Sequence, residues 1–219
     1  MAKTKTVGVV LAGCGFLDGS EVHEATLTLL ALDQRGVKAA VFAPDVEQLH
    51  VVNHVAKQPV EGRRNVLEEA ARIARGHIQP LAAAKADALD ALIFPGGFGA
   101  AKNLCTWATQ GTGMTVRDDV AALIRAVHAA GKPLGFICIA PVIGAKVLGG
   151  GVRLTIGQDA GTAAGIEAFG ATHVPHQVEE IEVDQGKKVV STPAYMFDTS
   201  IAHVQKGIDR LVGAVLELA

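Results

Sequence analysis

Three cysteines, two closely spaced glutamates and two glycine-rich turns hold most of the chemistry available to this sequence. Cys138 stands in Gly135-Phe136-Ile137-Cys138-Ile139-Ala140-Pro141, where a short apolar strand turns directly into a helix. A side chain at such a turn is held up from the sheet edge, in the manner of a nucleophile elbow. The amides and dipole of the helix start favour negative charge there, and hence the thiolate. A free thiol titrates near ~8.5, which leaves only about a few per cent ionised at neutral pH. The position of Cys138 is expected to lower that value. Pro141 fits a helix's first turn, where its missing N–H costs nothing. The same cysteine also reads as a small buried hydrophobe at a strand end.

Cys14 follows another strand, between Gly13 and Gly15, and is a candidate to line the same pocket without elbow geometry. Cys105 precedes Trp107 in a predicted helix and reads as core. Gly96-Gly97 brings bare backbone to the pocket, and the N–H groups of Gly97 and Ile139 are placed to bind a developing oxyanion. Those glycines equally suit a tight turn with positive φ. Glu21 and Glu24 begin the first long helix on one face, a favourable place for acids in any first turn. Beside Cys138, an ionised Glu24 would raise the thiol pKa; a protonated one would donate to the thiolate and lower it.

Other signals are weaker. Gly13-Cys14-Gly15-Phe16-Leu17-Asp18 imitates a dinucleotide fingerprint, but Asp18 replaces the third glycine and would face a pyrophosphate. His50 and His54, and His173 and His176, are spaced like ligands but lack a carboxylate or cysteine to complete a set, so no metal is expected. No Gly-x-Ser-x-Gly motif occurs.

The elements that must position these residues follow from pattern. Apolar, β-branched runs at Thr6–Ala12, Ala39–Ala43, Ala91–Pro95, Leu134–Ile137 and Val152–Ile156 read as strands buried on both faces. Helices are predicted from Ser20, as N-cap, to Gly36; from Asn65, as cap, to Gly76; and over 115–130, 140–148, 162–169 and 199–218. Residues 181–184 and 188–191 flank Gln185-Gly186 as a small hairpin. The stretch 45–64 reads as an irregular insertion. Alternating strands and helices predict an α/β three-layer sandwich with a mostly parallel sheet, helices on both faces, and ligands beyond the strands' carboxyl ends.

Composition agrees. With 219 residues, 49% hydrophobic and 19% charged, the chain is sized for one domain over 1–219 and is not disordered. A net charge of -2 argues against a nucleic-acid partner. No apolar run reaches the ~18–20 residues of a membrane span. Met1–Lys5 runs into the first strand without a secretory pattern, and three cysteines cannot all pair, so a reducing cytoplasm is expected.

Leu11-Ala12-Gly13-Cys14-Gly15, Asp18 to Glu24, Phe94-Pro95-Gly96-Gly97-Phe98-Gly99-Ala100-Ala101-Lys102-Asn103-Leu104 and Gly135 to Pro141 together resemble the enhancing lycopene biosynthesis (ElbB-type) proteins. These belong to the ThiJ/PfpI superfamily of class I glutamine-amidotransferase-like folds. Thr155-Ile156-Gly157 and Thr192-Pro193-Ala194-Tyr195-Met196 extend the likeness over essentially the whole chain. The resemblance implies a flavodoxin-like sandwich and a homodimer. It also implies Cys138 as nucleophile, Glu24 as the paired carboxyl, and Gly97 and Ile139 at the oxyanion. Cys14, Glu21, His23, Asn103 and Gln158 are the further pocket candidates.

Related proteins often carry a histidine about twenty residues after the cysteine. Here that region reads Gly157-Gln158-Asp159, and the amidotransferase His-x-Glu pair is also missing. Proton transfer then falls to Glu24, to a neighbouring histidine such as His23, or to water. The implied activity is a glyoxalase of hydro-lyase type, needing no metal, glutathione or nucleotide. It converts glyoxal or methylglyoxal, small dicarbonyls, to glycolate or lactate, with a family link to isoprenoid biosynthesis. The alternatives are a protein deglycase, or a non-enzymatic redox sensor built on the same cysteine.

Overall fold

The computed structural model describes residues 4–219, so Met1 to Lys3 of the predicted lead-in lie outside it. In chain order the elements are β1 (Thr6–Val10), α1 (Val22–Asp33), β2 (Lys38–Ala43), β3 (Val52–Asn53), β4 (Gln58–Pro59), α2 (Val66–Ile73), β5 (Gln79–Pro80) and β6 (Ala91–Phe94). There follow α3 (Trp107–Gln110), α4 (Asp118–Ala129), β7 (Leu134–Ile137), α5 (Pro141–Leu148), β8 (Arg153–Leu154), α6 (Ala160–Ala168) and β9 (Thr172–His173). The chain closes with β10 (Glu182–Asp184), β11 (Val189–Thr192) and α7 (Ile201–Leu218).

Seven strands form one sheet in the order β10-β11-β7-β6-β1-β2-β5. All pairs are parallel except the edge hairpin β10–β11, so the sheet is mostly parallel, as expected. Alternate residues of each central strand feed two apolar layers. Leu92 and Phe94 of β6 join Phe136 of β7 and the α4 and α5 side, while Ala91 and Ile93 join Val7, Val9 and the α1 and α7 side. Phe94 and Phe136 stack with ring centroids 5.3 Å apart. Helices therefore cover both faces, completing the three-layer sandwich.

The path from β1 leads outward to β2, and the path through β6 leads the other way to β7. The crevice at this reversal, beyond the carboxyl ends, is where such sheets bind ligands.

Several local expectations change. Ser20 does not cap α1; its Oγ accepts from the Ala12 amide at 2.8 Å, and Glu21 caps instead, accepting from Glu24 N at 2.7 Å. Asn65 does cap α2. Cys105 is buried but extended, and a π-helical turn over Ala100–Leu104 precedes it in place of the predicted helix around it. The predicted strand over 152–156 shortens to β8, which pairs with β9 in a separate two-stranded ribbon. The irregular insertion holds the small β3–β4 hairpin.

Candidate active site

The carboxyl ends of β1, β6, β7 and β11 supply the site. Cys138 follows β7 with φ of 61°, a left-handed conformation rare for a side-chain-bearing residue. Holding it there costs about 1–2 kcal/mol, which the surrounding sheet and helix must offset. The Cys138 amide donates to the Thr192 carbonyl at 2.9 Å, which ties the elbow to β11. The residue is 7% exposed. Its sulfur lies on a cavity of about 370 Å³ bounded also by Phe98, Trp107, Ile139, Tyr195 and Met196.

The backbone amides of Gly97 and Ile139 lie near the Cys138 thiol and favour its ionised form. Gly97 adopts φ of 92°, and a Cβ there would run into the Glu21 backbone. Gly96 is equally constrained, because a Cβ would lie 2.5 Å from the Cys138 Cβ and 2.8 Å from Glu24 Oε2. The two bare residues thus let the β6 turn pass between nucleophile and carboxyl.

Glu24, on the first turn of α1, is 0% exposed. Its Oε2 accepts from Gly96 N at 2.9 Å and its Oε1 from Tyr195 N at 3.3 Å, while the carboxyl and the Cys138 side chain flank the same glycine, Gly96. Burial, then the nearby Glu21 charge, raises its pKa to about 8. Both amides and the thiol pull the other way without overcoming burial. Glu24 is therefore mostly protonated at neutral pH.

The expectation of a depressed thiol fails in the resting protein. Burial, followed by the Glu24 charge, pushes Cys138 well above the ordinary thiol value, and the Gly97 and Ile139 amides offset this only in part. The helix-start argument neglected desolvation, which is the larger effect at a buried sulfur. What the site holds is a neutral thiol–carboxyl pair, with amides ready for negative charge when it develops.

Of the other pocket candidates, Glu21 lines the cavity. Cys14, His23, Asn103 and Gln158 do not. Cys14 faces the charges of Glu69, Arg72, Asp18 and Arg64 near α2. Asn103 is buried and structural, donating to the carbonyls of Ala12 and Asp18 at 2.9 Å each. Gln158 is exposed. His23 hydrogen-bonds the Tyr195 hydroxyl at 2.8 Å in an adjoining depression. Where related proteins carry a histidine, this chain brings a carboxylate to the wall: Asp159, which caps α6 by accepting from Thr162 N at 2.7 Å. Tyr195 and Asp159 had no role assigned from sequence, although Tyr195 sits in the Thr192–Met196 motif.

Among the described residues no group of three or more His, Cys, Asp or Glu is arranged to hold a metal ion. Nor is any helix long and apolar enough to cross a membrane. Asp18, the departure from the dinucleotide fingerprint, is 1% exposed and accepts from Val52 N at 2.7 Å, so it ties the β1–α1 loop to β3.

No protein-family model matches the chain. It is 50% identical to the human "Glutamine amidotransferase-like class 1 domain-containing protein 3, mitochondrial", over 97% of this chain and 82% of that protein. It is 48% identical to the "ES1 protein homolog, mitochondrial" of Rattus norvegicus, over 97% and 83%. A crystal structure of an isoprenoid biosynthesis protein with amidotransferase-like domain from Ehrlichia chaffeensis superposes with TM-score 0.92 at 33% identity, covering 98% of this chain and 99% of that one. A DJ-1 superfamily protein from Salmonella typhimurium shares the fold alone, with TM-score 0.60 at 23% identity over 98% and 95%.

The mitochondrial names of both curated relatives contradict the cytoplasmic expectation. Unpaired cysteines report a reducing environment and do not say which compartment supplies it. With half its residues identical to the human protein along nearly its whole length, the chain belongs to the glutamine amidotransferase-like class 1 domain proteins, built on the flavodoxin-like DJ-1/ThiJ/PfpI fold.

Proposed function

We propose that this chain is a cofactor-independent glyoxalase, with Cys138 as nucleophile and Glu24 as the acid/base. The observation that carries the reading is the Glu24 carboxyl, fully buried and set across Gly96 from a cysteine on a strained elbow. A general base works best when its pKa lies near the working pH, and about 8 meets that requirement.

The steps balance without an external oxidant. Ionised Glu24 takes the thiol proton as Sγ adds to the aldehyde carbon. The alkoxide forms against the Gly97 and Ile139 amides, and Glu24 returns the proton to it, giving a hemithioacetal. Glu24 then removes the proton from that carbon to form an enediolate. Reprotonation at the neighbouring carbon yields the thioester of a 2-hydroxy acid. One carbon has been oxidised and its neighbour reduced. Water cleaves the thioester, releasing glycolate or lactate and restoring the thiol.

The oxidation-sensor alternative requires a low-pKa, accessible thiol. Burial raises the Cys138 thiol well above the ordinary value, so the enzymatic reading is preferred. A link to isoprenoid biosynthesis is supported only by the name of the Ehrlichia relative and is part of the same proposal.

The test is conversion of glyoxal by purified protein in D2O, followed by NMR. Glycolate carrying one solvent deuterium is expected from the wild type, and none from Cys138→Ala. Equal turnover by both proteins overturns the reading.

A further inference from the structure

The cavity does not match the size of a two-carbon substrate. At about 370 Å³ it falls in the range of roughly 300–1,000 Å³ that encloses drug-sized ligands. A dicarbonyl bound to Cys138 would occupy the floor and leave the remainder unfilled. That remainder is walled by Phe98, Ala101, Trp107, Ala108, Ile139 and Met196. Phe98 is 49% exposed and lines the cavity, so this part of the wall reaches solvent. Trp107 is fixed by edge-on packing against Phe169, with ring centroids 6.1 Å apart, so the wall is preformed.

The charge on the wall is of one sign. The ionisable side chains other than Cys138 and Tyr195 are Glu21 and Asp159, and no Lys, Arg or His lines the cavity. Thr162 holds Asp159 below the ordinary carboxylate range, so it stays ionised. Lys102 is turned onto the Phe98 ring and donates to the Leu17 carbonyl at 2.8 Å, and it is not part of the lining. A carboxylate or phosphate entering here would meet negative charge without a partner.

We infer that the preferred substrate is a 2-oxoaldehyde bearing a bulky, uncharged apolar group, aryl or branched alkyl, that packs along the Phe98–Trp107–Met196 wall while its aldehyde meets Cys138. The aldehyde half of this inference rests on the glyoxalase reading; the shape and charge selection do not. In a hydrophobic pocket each added methylene is worth about tenfold or more in kcat/KM. Phenylglyoxal should therefore exceed glyoxal by at least about tenfold.

Two experiments separate the claims. Trp107 is the sole tryptophan and lines the cavity, so its fluorescence reports occupancy without any reaction. Cyclohexyl methyl ketone and cyclohexanecarboxylate are transparent, share one shape and differ in charge. In Cys138→Ala, which removes all chemistry at sulfur, the ketone should give a saturable change, and the carboxylate should bind at least about tenfold more weakly. Phe98→Ala, at an exposed position, should weaken the ketone. Asp159→Asn, which keeps a helix-capping oxygen, should strengthen the carboxylate. No saturable response to the ketone, or equal binding of the carboxylate, overturns the inference even if glyoxal is turned over. Selective ketone binding in a protein that converts no dicarbonyl would instead sink the glyoxalase reading and leave the cavity's selectivity standing. A phenylglyoxal kcat/KM no higher than that of glyoxal also overturns the inference.

Discussion

Two parallel strands of this sheet lead into a loop or turn that carries a cysteine, and only one of these cysteines lines the cavity. After β7, Cys138 sits at φ of 61° near the Gly97 and Ile139 amides, with a buried carboxyl beside it and a cavity in front. After β1, Cys14 sits between glycines in an unstrained conformation, half-buried, among the charges of Glu69, Arg72, Asp18 and Arg64. Burial raises both thiols. The distinction is therefore not acidity at rest. It is whether groups stand ready to receive the proton and the oxyanion when the sulfur attacks.

The sharpest way to break this comparison is to delete each sulfur in turn. Cys138→Ala should lower turnover of glyoxal by at least about a thousandfold, and Cys14→Ala by less than about twofold. Steady-state kinetics on both proteins decide it. Next comes the carboxyl. Glu24→Gln should lower kcat by about a hundredfold to a thousandfold, the usual share of a general acid/base, with substrate binding largely kept.

The same substitution separates the two thiols by titration. Glu24 charge is among the causes that raise Cys138 and is not among those acting on Cys14. In Glu24→Gln the pH profile for alkylation of Cys138 should move to lower pH, while that of Cys14 stays in place. Peptide-resolved mass spectrometry reads both. A profile for Cys138 that does not move would remove the carboxyl from the site.

Stability should respond as well. Folded Glu24 keeps its proton up to about 8, against 4.5 for an ordinary carboxyl, so the unfolded chain binds fewer protons between those values. Its contribution is fully present below about 4.5 and is lost as pH rises through about 8, at up to about 1.4 kcal/mol per pH unit. The wild type should therefore lose Tm between pH 5 and 9 more steeply than Glu24→Gln. Thermal melts across that range measure it.

The smallest expected effect has opposite signs at the two cysteines. At the left-handed Cys138, Cys138→Gly should be more stable than Cys138→Ala by about 1 kcal/mol. Cys14 has no positive φ, so Cys14→Gly should be less stable than Cys14→Ala.

The sequence made the layered fold legible because parallel strands buried on both faces need continuous apolar runs, and those of β1, β2, β6 and β7 are uninterrupted. It also pointed to Cys138, Glu24, Gly96 and Gly97, since a strand-to-helix turn and a glycine pair leave local marks. Three things left none. Ser20 has the right type for a cap, but its hydroxyl is used by Ala12 N across the loop. Tyr195 meets Glu24 across 171 positions, beyond the reach of any local pattern. The failure of Cys14 to line the cavity depends on how the β1 loop folds back, because both cysteines follow strands and look alike in one dimension. The two-residue strands β5 and β9 are too short to produce periodicity at all.

The reach of the Glu24 carboxyl has a consequence for how the molecule comes into being. Its two oxygens are held by amides contributed at positions 96 and 195. A growing polypeptide emerging from the ribosome can complete β1, α1, β6 and even β7 while Glu24 still lacks its second anchor. Until Tyr195 is in place, the carboxyl stands on an unfinished scaffold. The Glu24 pocket is therefore closed only when the segment that carries Tyr195 has joined the sheet.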